Sequence, residues 1–197
     1  MAITVAQVFS RVNYLLNDTT DTRWTAAEKL LWLNDGRREM AALKPGVFGA
    51  GSEVTHTSTS GARQRITATG AYRLASVDYN VASGAALRVT TRQQLDAFAP
   101  DWRALVDTDA ENYFTDETDP LAFWICPSVG VGAQIKCHVH ITPTDLVNTS
   151  DVALPYDQFE PPLVNYILFR AFSKEDEAGA EQKAAAYLQL FQSAFKE

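Results

Sequence analysis

Apolar positions recur with a helical period at both ends of this chain and with strand-like spacing between them. Over residues 4–16, Val5, Val8, Phe9, Val12, Leu15 and Leu16 keep a 3.6-residue rhythm. Thr4 stands where an N-cap is needed, since its hydroxyl can accept from an orphan backbone N–H. After the polar turn Asn17-Asp18-Thr19-Thr20-Asp21, Thr25 and Glu28 have the spacing of a capping box. Leu30, Leu33, Met40 and Leu43 carry the second helix, interrupted by Arg37, to Pro45-Gly46. Trp24, just before the cap, reads as a hydrophobic staple on the first turn. Gly36 is out of place, because an interior glycine costs a helix about 1 kcal/mol against alanine. Either the helix breaks at 34–36 or a neighbouring backbone packs closely there, and close packing is the preferred reading.

From residue 49 to 158 the texture is Thr, Val, Ser, Gly and aromatics in short runs. Strands are predicted at 63–67, 72–81, 87–90, 112–116, 122–126 and 134–141, with a short helical turn at 92–98. The Ser/Thr-rich stretch 49–61 reads as a long loop or hairpin. Helical patterning returns after Pro161-Pro162, which the first turn of a helix tolerates. Leu163, Val164, Tyr166, Ile167, Leu168, Phe169 and Phe172 surround that helix with apolar side chains, so it should be buried on most sides. A last helix, from about 177 to 195, puts Tyr187, Leu188, Phe191 and Phe195 on one stripe. The expected fold is α+β: a helical bundle assembled from both chain ends (1–48 and 159–197), with an inserted antiparallel β domain (49–158).

Composition narrows the function. The 197 residues are 46% hydrophobic and 21% charged, which is ordinary for a globular protein. A net charge of −7 argues against general phosphate-backbone binding, whose affinity comes from Lys and Arg. Cys126 and Cys137 are too few for a disulfide scaffold. No signal-peptide pattern stands at the N-terminus, and no run approaches the roughly 20 apolar residues that span a bilayer. The expectation is a soluble protein with free thiols in a reducing cytoplasm and no membrane association.

Candidate chemistry is sparse. No Gly-x-Ser-x-Gly elbow and no Gly-rich phosphate loop with a following Lys is present. His138 and His140 would share a strand face, and with Cys126 or Cys137 they could hold zinc. Their spacing matches no standard motif, so a solvent-facing strand is preferred. The acidic residues Asp101, Asp107, Asp109, Glu111, Asp116, Glu117 and Asp119 lack EF-hand order and read as a solvated face. Arg37 and Arg38 could meet a partner's phosphate or carboxylate, or be solvated or paired with neighbours such as Glu39. Trp102, Tyr113 and Trp124 would be exposed if the β region were an accessory binding module.

The segments Arg23-Trp24, Leu31-Trp32-Leu33-Asn34-Asp35-Gly36-Arg37-Arg38-Glu39 and Leu43-Lys44-Pro45 resemble the N-terminal region of the tailed-bacteriophage head-to-tail adaptor (connector, head completion) family. Asn165-Tyr166-Ile167-Leu168-Phe169-Arg170-Ala171-Phe172-Ser173-Lys174 resembles that family's C-terminal helix. Ala71-Tyr72-Arg73-Leu74, Tyr113-Phe114-Thr115-Asp116-Glu117 and Phe123-Trp124-Ile125-Cys126-Pro127 are similar to its β landmarks. The resemblance implies a structural virion protein without a cofactor or catalytic activity. Such a protein forms a ring, typically dodecameric, in the virion neck after assembly in the host cytoplasm. It would join the capsid portal protein to tail or neck proteins, with DNA passing through the bore without specific binding. In that setting Arg37, Arg38, Phe191, Phe195 and Lys196 are interface candidates, and the seven acidic residues above are candidates for a channel or surface face that repels DNA.

Overall fold

The computed structural model describes residues 1–48 and 51–196. Among them it shows a mixed α+β fold with five α-helices and several antiparallel sheets. The chain divides into two compact units, Met1–Gly49 with Pro143–Glu197, and Ala50–Thr142.

The first unit holds β1 (Ile3–Thr4), α1 (Val5–Leu16), α2 (Ala26–Leu43), β11 (Val152–Leu154), α4 (Glu160–Ser173) and α5 (Ala180–Ser193). Thr4 with Gln7 and Thr25 with Glu28 both form capping boxes, which satisfy orphan donors at the two helix starts; spacing predicts the second box, whereas at Thr4 it predicts an N-cap alone. Pro161 sits in the first turn of α4, where its missing N–H removes no helical bond. One hydrophobic core draws on all four helices: Val5, Val8 and Val12 from α1, Trp32, Leu33 and Met40 from α2, Leu163, Ile167 and Leu168 from α4, and Phe191 from α5. Each such fully buried side chain contributes roughly 1.5–3 kcal/mol. Trp24 is buried in the same core. Residues 143–158 belong to this unit, because β11 pairs antiparallel with β1 and the chain around it bonds to α1 and α2.

Helix α2 runs unbroken through Gly36. A Cβ there would lie 2.8 Å from Tyr166 Cδ1 and 2.9 Å from Leu163 Cδ1. The close neighbours are therefore side chains of α4 rather than a backbone. Gly36→Ala should lower unfolding free energy by about 1 kcal/mol in a urea titration, since overpacking costs roughly 1–3 kcal/mol and the helix-propensity gain returns roughly 1 kcal/mol. A stabilised variant would show that α4 yields freely.

The second unit is built from two main sheets. Strands β2 (Ser52–Thr57), β10 (Gln134–Ile141) and β4 (Ala71–Asn80) form an antiparallel sheet in that order. The other sheet has the order β3 (Arg63–Arg65), β8 (Ala122–Cys126), β7 (Asn112–Thr115), β5 (Arg88–Val89), with β5 and β7 parallel. A parallel pair, β6 (Val106–Asp107) and β9 (Ser128–Val129), stands apart, and α3 (Arg92–Phe98) starts with a third capping box, Thr91 with Gln94.

Strand alternation explains the core. Ile135, Cys137 and Val139 of β10 meet Phe123 and Ile125 of β8 between the sheets, with Leu74, Val77 and Tyr113. The opposite face of the four-stranded sheet carries a second apolar cluster of Trp102, Leu95, Ala62 and Cys126, against which Phe114 and Trp124 pack.

The stretch expected as a loop or hairpin over 49–61 contains β2, paired with β10 from Ser52↔Val139 to Thr57↔Gln134 and not with β3. Residues 49 and 50 of that stretch lie outside the described residues. Val54 and His56 alternate inward, and His56 Nε2 meets Gln64 Oε1 at 3.0 Å with its ring edge-on to Phe123. β-Branched Thr55 and Thr57 suit a strand, but their polarity makes the run look like a loop.

Candidate functional site

The motif that carries the family resemblance, Asn34 to Arg38, works largely inside the first unit. Asn34 Nδ2 donates to Leu146 O at 3.0 Å, and Asn34 Oδ1 accepts from Leu146 N at 3.0 Å. Arg37 is 7% exposed; its Nε donates to Ala153 O at 3.0 Å and its Nη1 to Thr144 O at 2.6 Å. Burial pushes the Arg37 pKa down, against which the carboxylates of Asp145 and Asp151 act. Arg38 stays at the surface, bonded to Asp35 at 2.8 Å and paired with Asp145. Its pKa is raised, first by the Asp35 bond.

The C-terminal candidates separate in the same way. Phe191 is 1% exposed and packs on Tyr166, with ring centroids 5.1 Å apart, because the α5 stripe faces α4. Phe195 is half-buried against Phe191 and Phe159, and Lys196 is exposed. Arg38, Phe195 and Lys196 are therefore the accessible members of the set, while Arg37 and Phe191 lie inside the unit. Surface candidates that the apolar stripes hide are Tyr14 (81% exposed), Leu15, Leu31, Leu43 and Leu190. For Leu31 the signal available in sequence is a position out of phase with its helix, between Leu30 and Trp32, whereas Leu15 and Leu43 lie on the rhythm that predicts burial and are exposed instead.

The acidic run divides in two. Arg63 Nε reaches Asp116 Oδ2 at 3.0 Å and Arg65 Nε reaches Asp119 Oδ2 at 2.7 Å. The Asp116 carboxyl is held well below its ordinary range, first by the Thr118 hydroxyl, then by the Thr118 amide and by Arg63. Asp119 is lowered first by its bond to Arg65. By contrast Asp101, Asp107, Asp109 and Glu111 make no ion pair among the described residues, and all but the half-buried Asp109 are exposed, as is Glu117. Uncompensated negative charge thus concentrates on 101–111.

The zinc reading fails on geometry. Cys137 faces the sandwich core, whereas His138 and His140 leave β10 on the other face. Cys126 belongs to the other sheet. His138 Nδ1 meets Asp78 Oδ2 at 2.6 Å, and the His140 ring lies beside Tyr72 with its pKa lowered by burial and then by Arg73. Among the described residues no group of three or more His, Cys, Asp or Glu could hold a metal. Ser76 Oγ donates to Asp78 Oδ1 at 2.6 Å rather than to His138, so that trio does not activate a nucleophile. Both thiols are free and buried. Burial pushes Cys137 up to about 12 and raises Cys126 as well, helped there by Glu111 and Asp101. Neither should react with a disulfide reagent at pH 8 until urea unfolds the chain; prompt labelling of the native protein would contradict this burial.

The exposed aromatic surface of an accessory binding module is also absent in the form expected. Trp102 and Tyr113 are buried and Trp124 is half-buried. They line a groove of about 1040 Å³ together with Val89, Arg103, Phe114 and Glu117.

Among the described residues no helix is long and apolar enough to cross a membrane. No curated protein matches the chain. A family model described as SU10 adaptor protein matches residues 3–197, which spans both compact units. With sequence landmarks at both ends and in the β region, and with its motif residues built into the fold rather than into a reaction centre, the chain belongs to the SU10 adaptor protein family of structural phage head-to-tail adaptors.

Proposed function

We propose that this protein is the neck subunit joining the capsid portal to the tail, assembled as a dodecameric ring whose bore passes DNA. The observation that carries this reading is the adaptor-family match over nearly the whole chain. In it the two chain ends close a helical bundle around α4, the β domain is an insertion, and ring and portal contacts fall on the bundle surface. Tyr14, Leu15, Leu31, Leu43 and Leu190 give that surface exposed apolar side chains suited to neighbouring copies. Arg38, Phe195 and Lys196 are the portal or ring contacts, and the β domain meets tail or neck proteins. The protein acts by shape and interface complementarity and carries out no reaction. Asp101, Asp107, Asp109 and Glu111 face passing DNA, where like charge prevents sticking.

Cryo-EM of virions and pull-down with the portal protein test the assembly. A ring of this chain beneath the portal is expected; its absence from the neck would refute the proposal. For the channel, changing the four acidic residues to lysine should leave rings intact and slow DNA ejection. Unchanged ejection from assembled particles would remove this segment from the bore.

A further inference from the structure

The chain leaves the first unit after α2 and re-enters it at Pro143. The outgoing root is the short turn Pro45–Phe48, fixed by buried Val47 and by the bond from Val47 N to Lys44 O at 3.0 Å. The returning root, residues 143–151, has no helix or strand. An irregular segment must still satisfy its backbone polar groups. Here α2 side chains do so: Asn34 takes both the N–H and the C=O of Leu146, and Arg37 takes the C=O of Thr144 and, further on, of Ala153. Asp151 closes the loop on itself by accepting from Val147 N and Asn148 N.

Arg37 also reaches the other root. Its guanidinium lies over the Phe48 ring, 5.3 Å from the centroid. One buried cation therefore touches the outgoing root at Phe48, the returning root at Thr144 and, just beyond that root, β11 at Ala153. A planar fork suits this arrangement, since it can stack on an aromatic face while its edge donates to two carbonyls. Sequence order hides the link, because the two roots are nearly a hundred residues apart.

We propose that Arg37 is a positioning residue that pins both roots of the inserted unit to a single helix, so that the two roots loosen together or not at all. The pin acts within the first unit and does not depend on any partner.

Amide hydrogen exchange on the full chain tests it. In Arg37→Met, which keeps an apolar stem of similar length, the Val47 and Leu146 amides should exchange roughly tenfold or more faster. The amides of Ile167 and Leu168 in α4, and of Ile135 and Val139 in β10, should be unchanged. Phe48→Leu supplies the coupling test and remains usable if Arg37→Met does not fold. It alters only the outgoing root, yet the Leu146 amide on the returning root should also exchange faster. An unmoved Leu146 amide in Phe48→Leu overturns the proposal. So does equal acceleration of α4 and the roots in Arg37→Met, which would make Arg37 a general stability residue.

Discussion

Lys29→Ala is expected to lower the unfolding free energy by about 3 kcal/mol, among the largest single-site effects in the helical unit. Lys29 is 0% exposed on α2, with its ammonium 5.9 Å from the centroid of Phe9. Its Nζ donates to Asn13 Oδ1 at 2.5 Å and pairs with Asp21. Asn13 Nδ2 in turn donates to Asp21 Oδ1 at 2.8 Å. Alanine removes the buried stem and strips the cation from both partners. Asp21 is 34% exposed, so water recovers part of the loss and keeps the figure at the low end of the buried-pair range. Lys29→Met keeps the volume and should cost less. Urea titration of both variants decides the matter: a Lys29→Ala chain as stable as the parent would show that this lysine swings out to solvent.

The same corner contributes to the acid sensitivity of the unit, as do the lowered carboxylates of Glu28 and Asp151. Asp18 accepts from the backbone N–H groups of Thr22, Arg23 and Trp24, at 2.9, 3.0 and 3.0 Å. Its pKa is lowered, first by the Trp24 bond, with smaller contributions from Thr22, Arg23 and the charge of Lys29 against the opposing effect of burial. A folded pKa below the unfolded value gives stability that is complete above the ordinary carboxylate range and drains as pH falls through the depressed value. Between about pH 5 and 8 this carboxylate adds no slope.

These two residues also mark what can be read from sequence here. The N-cap at Thr4 and the capping box at Thr25 are local signals within four residues, and the structure shows both. The apolar girdle of α4 and the alternation of β8 and β10 are almost as local, and those elements lie where the pattern predicts them. Nothing in the sequence marks Lys29 as buried, and Arg37 reads as a partner contact or a solvated side chain, because their bonding partners are invisible there: an asparagine and an aspartate across a turn, and the carbonyls of Thr144 and Ala153. Phe191 suggested docking because a stripe on a terminal helix has no visible owner, and α4 proves to own it. Asp116 and Asp119 suggested a free acidic face, and the exposed Arg63 and Arg65 of β3 neutralise them. Strands of two or three residues, such as β1, β6, β9 and β11, are too short to show a period of two.

In the β unit the largest expected effect is at Trp102. Trp102→Ala should cost about 3–5 kcal/mol, the usual range for deleting a fully buried tryptophan. The ring is 0% exposed and stands edge-on to Phe114 at 5.5 Å and to Trp124 at 5.7 Å, while those two stack on each other at 6.1 Å. The Arg103 guanidinium covers it at 4.3 Å from the centroid. Among the described residues only Ala62, Leu95 and Cys126 complete the buried part of this cluster, so little remains to collapse into the space. Thermal unfolding would show the loss, and a red-shifted emission from Trp124 would show that its face has opened. Trp102→Phe separates packing from hydrogen bonding. It should cost less, because it keeps an aromatic ring against Phe114 and Trp124, but it loses the bond from Nε1 to Asp96 Oδ1 at 2.8 Å. That bond is the first cause of the lowered Asp96 pKa, ahead of Arg103 and Arg92. In Trp102→Phe the Asp96 carboxyl should therefore titrate nearer its ordinary range, as read by carboxyl NMR. If Asp96 titrates unchanged, the two arginines, each 3.5 Å away, hold it instead, and Trp102 serves this unit by packing alone.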